Sequence, residues 1–118
     1  FEPTVLTGVT TDMRVFREEI FGPIAPVLTF ATEQEAIDMA NDTPYGLASY
    51  LFARDIGRIW RVSQALEYGL VGVNDVGLAS GELPFGGMKE SGLGREGGKP
   101  GLEEFMEIKY TLLGRLDV

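Results

Sequence analysis

The stretch LASYLFARDIGRIWRVSQALEYGLVGVN, residues 47–74, decides the fold of this chain. Residues 47–53 favour a strand, and Asp55 can cap a helix whose apolar stripe has helical spacing. The stripe residues are Ile56, Ile59, Trp60 and Leu66. Residues 70–74 are apolar until Asn74, which is typical of a strand buried on both faces. Strand, amphipathic helix and buried strand in this order predict a βαβ unit with parallel strands.

Shorter elements flank this unit on both sides. We expect strands at residues 4–7 and 26–30, a helix that Thr32 and Glu35 open as a capping box, and a short helix from Pro100 to Met106. We expect Gly69 to end the central helix as a left-handed residue, and Tyr50 and Trp60 to lie in the core. The sequence therefore predicts an α/β fold over residues 1–106, with a mostly parallel sheet and flanking helices.

Composition excludes several classes of function. The chain has 118 residues, enough for one domain or part of one, and a net charge of −8, which disfavours nucleic acid and anionic membranes as partners. It has no Cys and no His, so it holds no thiolate nucleophile, imidazole base or site for a metal through those ligands. The missing Cys fits a reducing cytoplasm, the compartment we expect. The first residue, Phe1, favours a fragment or a trimmed chain.

Residues 77–98 form a glycine-rich loop, with eight Gly among 22 residues. Within it, GLGREG at 92–97 matches the dinucleotide pattern G-x-G-x-x-G, with Asp117 twenty residues further on. That fingerprint requires a strand directly before it, whereas PFGGMKES precedes it here. Tight turns are the favoured interpretation, and a small nucleotide-binding module remains the alternative.

A few side chains could carry chemistry. Glu19 lies beside a Gly-Pro turn, where a carboxylate can point at a ligand, whereas adjacent acidic residues on helices are typical of solvated faces. Phe85 either fills the core or forms a pocket wall. Lys89 and Arg95 either bind an anion or pair with Glu90 and Glu96 nearby.

Four motifs, taken in order, resemble the C-terminal part of the NAD(P)-dependent aldehyde dehydrogenase superfamily. They are EEIFGP at 18–23, ANDTPYGL at 40–47, GVN at 72–74 and PFGGMKESGLGRE at 84–96. The tail GLEEFMEIKY at 101–110 resembles the succinate-semialdehyde dehydrogenase branch. The resemblance implies oxidation of an aldehyde to an acid with NAD or NADP. It also implies that the catalytic Cys and Glu and most of the cofactor site lie upstream, in the rest of the same polypeptide.

The resemblance assigns roles to particular residues. Glu19 matches the glutamate that binds the nicotinamide ribose hydroxyls, and Phe21 matches the aromatic residue that packs beside the nicotinamide. Phe85 matches the aromatic residue of the substrate tunnel. The succinate-semialdehyde branch has a substrate-binding serine five residues after the motif asparagine, where this chain has Ala79, followed by Ser80. Either Ser80 serves, or the aldehyde differs.

Residues 107–118 resemble a terminal strand that joins a sheet of a neighbouring subunit. The apolar run at 108–116 therefore predicts a homo-oligomer, and the alternative is an edge strand of this chain's own sheet. Because the nucleophile is missing, a non-catalytic oligomerisation or interaction module is the alternative function.

Overall fold

Short strands alternate with helices along the chain. The computed structural model describes residues 1–115 and 117. These residues form, in order, β1 (Thr4–Leu6), α1 (Arg14–Arg17), β2 (Ile24–Pro26), α2 (Glu33–Asn41), β3 (Tyr45–Gly46), β4 (Ala48–Leu51), α3 (Ile56–Ala65), β5 (Leu70–Val73), β6 (Met88–Lys89) and α4 (Gly98–Glu103). No helix among these residues is long and apolar enough to cross a membrane.

Parallel pairing joins the two strands of the central unit. β4 lies parallel to β5, with Ala48 opposite Leu70 and Leu51 opposite Val73, as the sequence predicts. β1 also pairs in parallel with β2, whereas β3 and β6 are antiparallel. The described residues therefore form an α/β arrangement of three two-stranded sheets rather than one continuous sheet. The second strand, predicted at residues 26–30, lies slightly earlier, at β2.

Side chains cap the two longer helices where the sequence predicts. The Thr32 hydroxyl accepts the Glu35 N–H at 3.1 Å, and the Glu35 carboxylate accepts the Ala31 N–H at 2.7 Å. At α3, the Asp55 carboxylate accepts the Arg58 N–H at 2.6 Å. These bonds satisfy donors that the first turn of a helix leaves unpaired, so each helix start is encoded locally.

Polar contacts tie α2 to α3 at both ends. The Glu33 carboxylate accepts Arg58 Nε at 3.0 Å and Arg61 Nε at 3.1 Å. At the other end, the Asn41 amide donates to the Ala65 carbonyl at 2.8 Å and accepts the Glu67 N–H at 2.9 Å. The two helices thus form one cross-linked unit, the α2–α3 unit.

The apolar core is small. Among the described residues, the buried apolar side chains are Val9, Ile37 and Val62. The prediction that Tyr50 and Trp60 lie in the core is wrong, because they are 48% and 68% exposed. In this chain α2 covers the face of α3 that carries Val62, and Trp60 projects from a different face.

Gly69 is needed for a reason that the sequence did not reveal. It does not adopt the left-handed conformation, and α3 ends instead at an extended Leu66 with φ −73° and ψ 125°. A Cβ on Gly69 would lie 1.8 Å from the Gly86 carbonyl oxygen. Only glycine allows the glycine-rich loop to lie directly on the start of β5.

The molecule is elongated, and its C-terminal segment is exposed to solvent. Its extents are 78 × 36 × 27 Å and its radius of gyration is 20.3 Å, against about 13.5 Å for a compact domain of this length. Residues 106–115 lie in neither helix nor strand, and Ile108 is fully exposed. Residues 108–115 thus form no strand and pair with none of the described strands, and Leu116 lies outside the described residues.

Candidate functional site

The turn between α1 and β2 presents Glu19 and Phe21 to solvent. Phe21 has φ 47°, a left-handed conformation that costs a bulky residue about 1–3 kcal/mol, and it is 94% exposed. The Glu18 carboxylate is held by the Arg14 guanidinium at 2.8 Å, whereas Glu19 has no hydrogen-bond partner in the described part of the chain. The turn thus exposes an open carboxylate and an aromatic ring two residues apart.

Ser80 and Phe85 line one shallow depression of ≈ 510 Å³. Its other lining residues are Ala79, Gly81, Glu96 and Gly97. Phe85 is half-buried and also borders a neighbouring depression, so it forms a wall between two hollows rather than filling the core. Ala79 and Ser80 both line the depression, next to Phe85.

Backbone pairing holds Phe85 in place. Its N–H donates to the Glu96 carbonyl at 2.7 Å, and the Glu96 N–H donates back at 2.8 Å. This bridge also places Glu96 at the depression, a position that sequence reasoning missed. The two residues are eleven apart in an irregular loop, and no periodic pattern signals their pairing.

The two cations of the loop bind protein groups other than the expected ones. Lys89 pairs with Glu67 at 2.6 Å, and Arg95 donates to the carbonyls of Gly87 and Gly94 at 2.9 and 2.6 Å. The predicted pairs with Glu90 and Glu96 do not occur among the described residues. Both cations therefore hold the loop together.

Positive φ angles explain the three glycines of the 92–97 segment, and Gly97 also lies too close to a backbone carbonyl for a Cβ. Gly97 has φ 72°, and a Cβ there would lie 2.7 Å from the Leu83 carbonyl oxygen. Helix α4, which follows, has six residues. This geometry supports the tight-turn interpretation. The described residues contain no cluster of three or more acidic, Cys or His residues that could hold a metal ion.

Comparison with known proteins identifies the family. The profile of the aldehyde dehydrogenase family matches residues 1–111. The chain belongs to the aldehyde dehydrogenase family. It is 57% identical over 117 residues to a mitochondrial succinate-semialdehyde dehydrogenase of Oryza sativa and 57% identical to a 3-sulfolactaldehyde dehydrogenase of Pseudomonas putida. The matches cover 99% of this aldehyde dehydrogenase chain but only 22% and 24% of those relatives.

Solved structures of aldehyde dehydrogenases share the fold. A succinate-semialdehyde dehydrogenase of Burkholderia pseudomallei superposes with a TM-score of 0.86 at 58% identity, over 89% of this chain and 22% of that one. A betaine aldehyde dehydrogenase of Staphylococcus aureus, solved in complex with NAD⁺, superposes with a TM-score of 0.85 at 52% identity, over 89% and 21% of the two chains.

The residues of the Glu19 turn fit a nicotinamide nucleotide. A carboxylate with both oxygens open can accept two ribose hydroxyl donors, and an exposed ring can pack against a planar ring. The strained backbone at Phe21 supports this fit, because such strain concentrates at ligand-binding positions.

Proposed function

We propose that this chain is the C-terminal part of the catalytic region of an aldehyde dehydrogenase that oxidises succinate semialdehyde to the acid with NAD or NADP. The observation that carries the proposal is the Glu19 turn, with an open carboxylate next to an exposed, left-handed Phe21. The family match and the succinate-semialdehyde relatives support it. Other semialdehydes are substrates in the names of further relatives, so the choice of aldehyde rests on the site.

Within this proposal, Glu19 and Phe21 orient the cofactor. The Glu19 carboxylate accepts the two hydroxyls of the nicotinamide ribose, and charge-assisted bonds of this kind are short and directional. The Phe21 ring covers one side of the nicotinamide and keeps water from it. The bound cofactor supplies a hydride acceptor.

Ser80 and Phe85 would hold the aldehyde. The exposed Ser80 hydroxyl accepts the Glu82 N–H at 3.3 Å, and its own proton can be donated to the substrate carboxylate. Phe85 forms an apolar wall for the methylene chain. A pocket with an apolar wall and one placed donor would favour short semialdehydes that end in a carboxylate.

The nucleophile must come from elsewhere, because this chain has no Cys. The rest of the same polypeptide is therefore the first partner that we propose, with residues 1–106 as part of its catalytic domain. Residues 107–118 would form the oligomerisation segment, and the exposed apolar side chains of Ile108 and Leu113 support that division. The cytoplasmic compartment stays a prediction.

The experiment is to replace Glu19 by Gln in the full-length polypeptide. Because a hydrogen bond to a charged group contributes about 1.5–3 kcal/mol, we expect hydride transfer or cofactor affinity to fall roughly tenfold or more. Glu18→Gln is the matched control, since Glu18 pairs only with Arg14 on the surface. Stopped-flow NADH absorbance and cofactor titration provide the measurements, and equal values for both variants would contradict the proposed role of Glu19.

A non-catalytic interaction module is the second candidate, and the absence of Cys favours it. The two candidates differ in what precedes Phe1. A reading frame that continues upstream and encodes a glycine-flanked Cys supports the enzyme, whereas a start codon at that point supports the module.

A further inference from the structure

Three segments of the chain meet at the ammonium group of Lys89. Its Nζ donates to the Asn41 carbonyl at 2.9 Å and to the Thr43 carbonyl at 3.2 Å, and it pairs with the Glu67 carboxylate at 2.6 Å. An ammonium group has three donors, so this set uses all of them. We name Lys89, Asn41, Thr43 and Glu67 the lysine cluster.

The surroundings of Lys89 determine its conformation. Its backbone has φ 54°, a left-handed conformation that is uncommon for a residue with a Cβ and persists only where the surroundings enforce it. Its side chain is 26% exposed, whereas that of Glu67 is 57% exposed. The long side chain is thus held at the C-terminal end of α2, where a cation also interacts favourably with the helix dipole.

The phenol of Tyr68 lies near the charge of Lys89. The Tyr68 hydroxyl donates to the Ala40 carbonyl at 2.5 Å, in the last turn of α2. Burial raises the pKa of Tyr68, and the charge of Lys89 opposes that increase. The Tyr68 hydrogen bond is thus a second link between the end of α2 and the residues that follow α3.

The lysine cluster lies at the end of the segment that carries Phe85. β6 has only two residues paired with β3, too few to hold this segment by themselves. Three further contacts help. The Gly86 carbonyl packs directly against Gly69, the Ser91 hydroxyl accepts the Gly46 N–H at 2.9 Å, and the Glu90 N–H donates to the Pro44 carbonyl at 3.0 Å. Of these attachments, only the one through Lys89 reaches α2.

We propose that Lys89 is a positioning residue for the aldehyde site, because its ammonium group fixes residues 84–91 against α2 and so sets the place of the Phe85 wall. This inference rests on the proposed function, in which Phe85 borders the substrate. Lys89 itself touches no substrate. Losing the ammonium group would let the wall move and weaken aldehyde binding, while the cofactor turn at Glu19 would be unaffected.

The test uses the full-length polypeptide and the variants Lys89→Met, Lys89→Arg and Glu67→Gln. Lys99→Met is the control, because Lys99 is an exposed lysine of α4 outside the lysine cluster. One measurement is steady-state kinetics with succinate semialdehyde. The other is hydrogen exchange of the peptide at 83–91, compared with a peptide from α3.

We expect Lys89→Met to raise the KM for the aldehyde about tenfold with kcat and the cofactor KM changed less than about twofold, since binding rather than chemistry is affected. Exchange at 83–91 should become about tenfold faster while α3 is unchanged. For Lys89→Arg, the aldehyde KM and the exchange rate at 83–91 should both be close to those of the wild type. For Glu67→Gln, both values should lie between those of Lys89→Met and the wild type.

Unchanged aldehyde KM and unchanged exchange at 83–91 in Lys89→Met would overturn the inference. Equal loss of protection at 83–91 and in α3 would also overturn it, because the role would then be general stability. If Lys89→Met does not fold, Glu67→Gln decides by the same two criteria. If the wild type oxidises no aldehyde, the proposed function fails, and the exchange measurement alone decides the role of Lys89.

Discussion

The α2–α3 unit and the terminal segment at 106–115 differ in where they place their apolar side chains. In the unit, Ile37 and Val62 are buried between helices that are also joined by polar contacts. In the terminal segment, Tyr110, Leu112 and Leu113 are 84%, 76% and 77% exposed.

The difference follows from how each region pairs its backbone hydrogen-bonding groups. A helix forms its hydrogen bonds internally and needs only a partner for one face, which α2 and α3 provide for each other. An extended segment within a sheet forms hydrogen bonds to a neighbouring strand, and the described residues offer no such strand at 106–115. The α2–α3 unit therefore buries apolar side chains within this chain, whereas the terminal segment leaves its apolar side chains exposed.

The largest effect we expect is the complete absence of aldehyde oxidation by the isolated 118-residue chain. The chain has no Cys and no His, so it lacks a nucleophile and an imidazole base however well the α2–α3 unit folds. The measurement is NADH formation from succinate semialdehyde by purified chain, with the full-length polypeptide as the positive control. Turnover by the isolated chain would disprove this prediction.

Asn41→Ala should strongly destabilise the α2–α3 unit. The substitution leaves the Ala65 carbonyl and the Glu67 N–H without their partners, and we expect a loss of about 2–3 kcal/mol in the free energy of unfolding. Denaturant unfolding of the full-length polypeptide measures it. Gln34→Ala is the control, because its bond to Asp38 lies on the exposed face of α2. An equal loss in both variants would show that Asn41 does not join the helices.

Leu113→Lys should weaken association through the terminal segment without destabilising the α2–α3 unit. If another subunit covers the terminal segment, the substitution removes a buried leucine side chain from the contact. The dissociation constant of the subunits should then rise about tenfold or more. Sedimentation of the full-length polypeptide measures this change. Leu93→Lys is the control, since Leu93 is 99% exposed on the glycine-rich loop. A wild-type polypeptide that sediments as a monomer at micromolar concentration, or a Leu113→Lys variant that sediments like the wild type, would contradict the shared-sheet interpretation.

The smallest effect concerns the acid sensitivity of the α2–α3 unit. Hydrogen bonds from Arg61 and then Arg58 lower the pKa of Glu33 below its ordinary value of 4.5. The pair therefore stabilises the fold above that value, and the stabilisation is lost as the pH falls through the lowered pKa. Melting temperatures of the wild type and Glu33→Gln should differ slightly near neutral pH and converge in acid. A constant difference would show that the ion pair is not responsible.

The α/β order, the helix starts and the family were readable from the sequence. Asp55 and Thr32 cap their helices through bonds to residues three positions away, so local spacing is enough to predict them. The parallel pairing of β4 and β5 follows from a strand, a helix and a buried strand in succession. The order of four motifs pointed to the family, and the family profile matches residues 1–111.

Other features depended on contacts between distant segments. The exposure of Trp60 was decided by which face of α3 meets α2, and the need for glycine at 69 by a loop 17 positions further along the chain. Lys89 reaches Asn41, 48 residues earlier, rather than the adjacent glutamates. Sequence spacing encodes bonds within a turn or a helix, but partners across such separations are set only when the chain packs, because packing determines which faces and carbonyls come within reach.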